Sequence, residues 1–343
     1  MESSSNSESC EVSETICNGE VEHPTSKGMA ISTIPPQFNG LLSPENFDLY
    51  QYEGFWYHNF YLEGVKLAQK QFKAQPTDII LCSAPKSGTT WLKALAFAIL
   101  TRTRYDFSSN PLLVTMPHDC VPMLEVDIVQ NPGNRSPEFP LLSTHIPFSS
   151  LPTSIVASGS RIVYICRDPK DAFVSFWHFI VKVRPEIGFL PLEVVFEMFC
   201  RGVSYYGPYW DHVLGYWKAS LEQPEKVLFL KYEDMKREAS VCVKRLAEFM
   251  GHPFSSSEES KGVMEQVLQL CSFENLSNLE VNKKGRHRAD TPVAIENNTY
   301  FRRGKVGDWK NHLTDQMIRR MNHITEQKLG SCGLTFDDAP EEP

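Results

Sequence analysis

The octapeptide Ala84-Pro-Lys-Ser-Gly-Thr-Thr-Trp91 constrains this chain most, because of what lies on either side of it. Before it runs Asp78-Ile-Ile-Leu-Cys-Ser83, whose near-continuous apolar character suits a parallel strand covered on both faces. After it, Thr89 to about Leu100 reads as a helix. Strand, tight turn and helix start together make an anion site, since the first amides of a helix lack intrahelical acceptors and point outward. Gly88 permits a close backbone approach, Lys86 adds a mobile positive charge, and Thr89 and Thr90 add hydroxyl donors. The loop is not the nucleoside-triphosphate motif Gly-x-x-x-x-Gly-Lys-Ser/Thr, because Lys86 precedes Gly88 instead of following a glycine. That weakens a kinase or ATPase reading. The plainer alternative is a Ser or Thr helix cap beside a chance lysine.

Two further strand-turn-helix units follow the same plan. Arg161–Cys166 leads through Arg167-Asp-Pro169 into a helix to about Val181, and Lys226–Tyr232 leads through Glu233-Asp234 into a helix near Arg237–Met250. Repeated alternation predicts an α/β single domain with a mostly parallel central sheet flanked by helices and a P-loop-like nucleotide-binding core. Leu62–Phe72 also reads as a helix. The Pro- and Ser-rich stretch 105–160 and the Asn-, Lys-, Arg- and Gly-rich stretch 281–308 read as long loops over the sheet's C-terminal edge.

Charge separates the body from its ends. Residues 1–30 hold six Glu against Lys27, and 337–343 hold four acids, so the net charge of -8 leaves the body at +1. We expect a disordered acidic tail over 1–40, a folded domain over 41–336 and a short acidic tail over 337–343. A near-neutral body gives no reason to expect a nucleic-acid partner. No apolar run is long enough for a membrane helix. Nine cysteines without a tight framework, and an acidic N-terminus without a leader pattern, point to a reducing cytoplasmic location.

Other segments are ambiguous on their own residues. His145, in Leu142-Ser-Thr-His-Ile-Pro147, is either a packed loop histidine or a functional one. Arg167 either pairs with Asp168 or Asp171 or awaits an anion. Tyr206, in Val203-Ser-Tyr-Tyr-Gly-Pro-Tyr-Trp210, fits a turn-forming aromatic patch. Arg302, Arg303 and Gly304, in Tyr300-Phe-Arg-Arg-Gly-Lys-Val-Gly-Asp-Trp309, are either a solvated charge run or part of a site. Glu125, Asp127 and Glu138 show no paired-carboxylate logic. His118 with Asp119, His287, and His312 with His323 show no zinc-type spacing, so no metal is expected.

From about residue 48 to 336, these motifs in this order resemble the cytosolic, soluble sulfotransferases that use 3′-phosphoadenosine 5′-phosphosulfate (PAPS), particularly the plant branch. The resemblance implies that the loop from Lys86 through Ser87, Gly88, Thr89 and Thr90 holds the 5′-phosphosulfate, with Trp91 stacked on adenine. Lys86 would donate to the bridging oxygen, where charge develops as the bond breaks. His145 matches the catalytic base, with Ile146 in place of a usual Leu. Ser143 stands where the family often has a lysine, so no second base is assigned. Arg167 and Ser175 match binders of the 3′-phosphate, and Ser175 a residue that restrains the catalytic lysine. Arg302, Arg303 and Gly304 match the segment that closes over the 3′-phosphate, with Arg303 replacing a usual lysine. Tyr206 matches a tyrosine near adenine and the lysine loop. Cys271, Ser272 and Phe273 match a segment that wraps adenine, with Cys271 departing from the animal pattern.

The implied reaction sulfates a small hydroxylated plant metabolite, flavonoid-like in the first instance, and releases 3′-phosphoadenosine 5′-phosphate (PAP). Brassinosteroid, hydroxyjasmonate and desulfoglucosinolate acceptors are alternatives. A binding protein without turnover is another. The dimer motif of animal relatives is altered at Asp315 and Arg319, so a monomer is expected.

Overall fold

The computed structural model describes residues 49–136, 138–185, 190–289, 291 and 293–336. The acidic tails expected at 1–40 and 337–343 lie outside the described residues. The core is a parallel four-stranded sheet of β3 (Ile79–Ser83), β4 (Leu141–Thr144), β5 (Arg161–Cys166) and β6 (Val227–Lys231), in the order β4-β3-β5-β6. Ile79 lies opposite Leu141 on one side and Arg161 on the other, and Ile162 lies opposite Val227.

Alternate residues of each strand enter different layers, as the two-residue period of a strand requires. Ile80, Cys82, Ile162, Tyr164 and Phe229 join one core cluster, with helices Asn59–Gln71, Pro169–Val183 and Tyr209–Glu222. Ile79, Leu81, Val163, Ile165 and Leu230 join the other, with helices Thr89–Thr101, Ala239–Phe249 and Val263–Leu270. Both faces are covered, which is why β3 is apolar at every position up to Cys82.

The strands of the three sequence-read units match expectation to within a residue at either end. The stretch expected to be loops over 105–160 is a correction: it contributes β4, the edge strand of the sheet. Four residues, Leu-Leu-Ser-Thr, are too few to declare a period. Likewise 281–308 contains a short antiparallel pair, β7 (Arg286–His287) with β8 (Ile295–Glu296). A hairpin of β1 (Leu49–Tyr52) and β2 (Phe55–His58) precedes the sheet, turning at Glu53 and Gly54, which both have positive φ. Its Trp56 exchanges backbone hydrogen bonds with Tyr206 and Gly207 at 2.7 Å each.

Because all four strands run the same way, Ser83, Thr144, Cys166 and Lys231 end along one edge. Every loop that carries a candidate residue leaves from there or folds back over it, as expected for an open α/β sheet.

Candidate active site

Above that edge lies a cavity of about 370 Å³. Its walls include Lys86, Gly88, Thr89, Thr90, Trp91, His145, Arg167, Ser175, Tyr206, Cys271, Ser272, Phe273, Arg302, Arg303 and Gly304. Residues up to 218 positions apart in the chain (Lys86 to Gly304) thus meet in one space. Ser87 is the exception among the sequence-predicted set. Its side chain is fully buried against the Tyr209 hydroxyl at 3.4 Å, and its amide donates to Ala84 O at 3.3 Å.

The anion loop is built by local constraint. Gly88 sits at φ +111°, and a Cβ there would lie 2.9 Å from both Ile165 and Tyr232. Lys86 also has positive φ, and its ammonium lies 4.1 Å from the Phe179 ring centroid and 5.5 Å from that of Tyr300. Burial pulls its pKa down to about 7, and Arg167, Arg302 and Lys182 push the same way. A lysine crowded by cations over apolar rings is a site prepared for negative charge.

The two arginine segments meet at the same place. Arg167 donates through Nη2 to Lys305 O at 2.5 Å and lies 3.4 Å from Asp171, one of the two pairings its sequence allows. Its guanidinium covers the Tyr232 ring at 4.5 Å, and Tyr232 in turn donates to Gly304 O at 3.0 Å. Arg302 and Arg303 both pair with Asp308, the latter at 2.7 Å. The Nε atoms of Arg167 and Arg302 are buried without a partner. Unsatisfied guanidinium donors at a cavity wall suit a further anion.

His145 follows directly on β4. Its Nδ1 donates to Ser83 O at 2.7 Å, because a carbonyl can only accept. The tautomer is therefore fixed, with the lone pair on Nε2. Its backbone is held as firmly. The amide donates to Glu125 Oε1 at 2.8 Å, and its carbonyl accepts from His212 Nε2 at 2.8 Å. Tyr164 donates to the other His212 nitrogen at 2.9 Å. Burial holds the His145 imidazole down to about 3, with Lys93, His212 and Lys86 adding to the effect against the Ser83 hydrogen bond. It is neutral at physiological pH.

Tyr206, expected near adenine and the lysine loop, lines a small space with Ala84 and Pro85 of that loop. Its ring meets His145 at 5.3 Å, Tyr57 at 5.4 Å and Tyr61 at 5.5 Å. The ring facing Trp91 is that of Tyr232, at 5.5 Å. Cys271 and Phe273 do border that end: a Cβ on Gly304 would strike the Phe273 ring, and Ser272 caps the helix Phe273–Asn278 by accepting from the Asn275 amide at 3.1 Å.

Further residues complete the walls, several of them from the 105–150 and 176–190 segments. Phe179, Tyr232, Tyr300 and His118 lie about the loop from Lys86 to Trp91, and Tyr61, Met123, Phe176, Tyr205, His287 and Arg288 complete the lining. The carboxylates without visible logic have partners: Glu125 holds His145, Asp127 takes Arg288 through two bonds of 2.8 Å, and Glu138 pairs at the surface with Arg104 at 2.7 Å. Asp119 lies 2.5 Å from His287. Among the described residues, no cluster of three or more such side chains could hold a metal ion, and no helix is long and apolar enough to cross a membrane.

Residues 76–333 match the sulfotransferase domain family. The chain is 51% identical to a flavonol 3-sulfotransferase of Flaveria bidentis, over 89% of this chain and 98% of that one. It is 52% identical to a flavonol 4′-sulfotransferase of Flaveria chlorifolia, over 84% and 90% respectively. Among solved structures, the mouse sulfotransferase SULT7A1 in complex with PAP superposes with a TM-score of 0.63 at 25% identity, covering 82% of this chain and 95% of that one. The chain belongs to the PAPS-dependent sulfotransferase family, in the plant branch of its flavonol-acting relatives, and is a sulfotransferase of small hydroxylated metabolites.

Proposed function

We propose that this enzyme sulfates a hydroxyl of a flavonol-like acceptor, with His145 as general base and Lys86 as the electrophilic partner of the donor. The observation that carries the reading is the fixed tautomer of His145: Nδ1 is committed to Ser83 O, so a neutral imidazole offers Nε2 to the same cavity that Lys86 lines. The acceptor hydroxyl gives its proton to Nε2 as its oxygen bonds to sulfur. The bond from sulfur to the bridging oxygen breaks, and the charge left on that oxygen falls to Lys86 and the amides at the start of the helix Thr89–Thr101.

The donor would be held in two places. The loop Lys86–Thr90 takes the 5′ group, in the manner of a P-loop but with its lysine displaced. Arg167, Ser175, Arg302, Arg303 and the Gly304 backbone take the 3′-phosphate, and the unpartnered Nε atoms of Arg167 and Arg302 support that assignment. Trp91, Tyr232, Cys271, Ser272 and Phe273 enclose the adenine. Tyr206 belongs instead to the wall beside His145. The seven described cysteines are free thiols, which supports a reducing, cytoplasmic location. A monomer is the reading from Asp315 and Arg319, which replace an apolar contact and an acid of the animal dimer motif.

Tyr61, Phe176, Phe179, Tyr205 and Tyr300 favour a flat aromatic acceptor. Two relatives of near-equal identity carry different flavonol positions in their names, so the position sulfated here is a matter for measurement. The test is PAPS-dependent turnover of flavonols, brassinosteroids, hydroxyjasmonates, salicylate and desulfoglucosinolates. Flavonols are expected to give the highest kcat/KM; a tenfold or greater preference for another class would overturn the acceptor assignment.

A further inference from the structure

Lys93 has no part in the chemistry above, yet it is one of the largest fully buried side chains of the protein. It lies on the helix Thr89–Thr101, one turn beyond Thr90. Burial pulls its pKa down to about 7, and charged or neutral, its buried N–H groups need acceptors. Its two contacts are the carbonyl oxygen of Val121 at 2.9 Å and Nδ1 of His118 at 3.2 Å. Neither partner is a carboxylate, so no ion pair in contact offsets that burial.

His118 completes a row of three. With Nδ1 accepting an N–H of Lys93 Nζ, the proton of the neutral ring belongs on Nε2, and Nε2 lies 2.9 Å from the Thr90 hydroxyl oxygen. Burial together with Lys93, His287 and Arg288 holds His118 well below the usual histidine range, so the ring stays neutral. Its other neighbours are the rings of Tyr300 at 4.3 Å and His287 at 5.6 Å. Thr90 Oγ1 therefore accepts on its protein side. Its own proton is left to donate, and Thr90 lines the cavity beside Lys86 and Gly88.

We propose that Lys93 and His118 are positioning residues for the anion loop: they fix Thr90 Oγ1 as an acceptor within the protein, so that its hydroxyl proton is presented to the 5′ anion of the nucleotide. The inference rests on the reading that the loop Lys86–Thr90 holds that anion. It gives the buried lysine a purpose, and it explains why a cavity-wall threonine is tied to a histidine from a distant turn. The row runs from the Lys93 N–H to imidazole to hydroxyl to anion, each member donating to the next, and such chains polarise one another.

The experiment is calorimetric titration of the full chain with adenosine 3′,5′-bisphosphate and, separately, adenosine 3′-monophosphate, which has no 5′ anion. Thr90→Val, His118→Phe and Lys93→Met are each expected to weaken the bisphosphate by about 10-fold, the worth of one hydrogen bond to a charged group. The 3′-monophosphate should be unaffected, which a merely structural role would not allow. Combining His118→Phe with Thr90→Val should cost nothing beyond Thr90→Val alone. His118→Gln, which can accept from Lys93 and donate to Thr90, should recover most of the affinity and serves where the Phe variant does not fold. Additive losses, equal weakening of both nucleotides, or unchanged affinity in His118→Phe would overturn the proposal. Wild-type protein that binds the two nucleotides equally well would instead overturn the assignment of the loop itself.

Discussion

Asp171 accepts a hydrogen bond from the Gly307 amide at 2.7 Å, across 136 positions of chain. Its other oxygen accepts from the Trp309 amide at 3.1 Å, and it faces Arg167 at 3.4 Å. One fully buried carboxylate thus sews the helix after β5 to the late basic segment, and brings Arg167 and Arg302 to a common wall. If that wall reads the 3′-phosphate, Arg167→Ala and Arg302→Ala should each weaken adenosine 3′,5′-bisphosphate by about 10- to 100-fold, since charge-assisted contacts are worth about 1.5–3 kcal/mol. Adenosine 5′-monophosphate should change far less. Titration of both nucleotides against both variants decides it. Equal losses would place these arginines at the 5′ end or in the scaffold.

His145→Ala should remove at least about 10²-fold from kcat while leaving bisphosphate affinity within twofold. The pH profile gives a second reading. With its folded pKa held near 3, His145 is deprotonated throughout the usual assay range, so kcat/KM should show no inflection near 6.5 on the acid side. Stability should show one. A histidine whose pKa is depressed on folding favours the native state fully above its unfolded value of about 6.5, and that favour is lost as pH falls toward the folded value. His212, held near 4 by burial, acts in the same direction. The melting temperature should therefore fall between about pH 6.5 and 4 while kcat/KM of the folded enzyme stays level. An activity inflection near 6.5 would mean a solvated imidazole.

What was legible in the sequence was what local chemistry determines. The strand, turn and helix around Lys86 declare themselves because a buried parallel strand is apolar at nearly every position and the turn needs Gly88. The role proposed for His145 is legible only through resemblance, since β4 offers four residues and no period. Glu125, Lys93 and His118 were not legible at all. Each becomes meaningful only when the chain brings a partner 19 or more positions away to within 3.2 Å, and no pattern in one segment encodes that. Tyr206 shows a different limit: a ring in a turn can face either end of a cavity, and the β1–β2 hairpin bonded to it fixes which.

Glu125 should prove to matter through His145. Its two oxygens take different donors, the His145 amide at 2.8 Å and the Thr144 hydroxyl at 2.8 Å. Glu125→Ala removes both acceptors and leaves the His145 amide unpaired in a fully buried place, whereas Glu125→Gln can still accept from that amide and donate to the Thr144 hydroxyl and should lose little. In Glu125→Ala we expect kcat to fall by about 10- to 100-fold, because a displaced base loses alignment steeply, with bisphosphate affinity unchanged. Parallel loss of affinity and of melting temperature would reduce Glu125 to a part of the scaffold.

Lys86 gives the sharpest prediction about charge. In the free enzyme its pKa is pulled down to about 7, first by burial and then by Arg167, Arg302 and Lys182. At pH 7.5 to 8 a large share of the molecules therefore carry a neutral amine there. A bisphosphate brings negative charge to the loop and raises that pKa, since an opposite charge nearby favours the protonated form. Binding must then take up a proton. The sign is definite: uptake should be near zero well below pH 7, where Lys86 is already charged, and should approach one proton above it. Affinity should weaken as pH rises past about 7, by up to tenfold per pH unit, until the pKa of the complex is reached. Calorimetry of bisphosphate binding at one pH in buffers of different ionisation enthalpy measures the uptake directly, and Lys86→Met supplies the control, since it should abolish the Lys86 share. Proton release on binding, or uptake that persists unchanged in Lys86→Met, would mean that the lysine is fully charged in the free enzyme and that another group answers the anion.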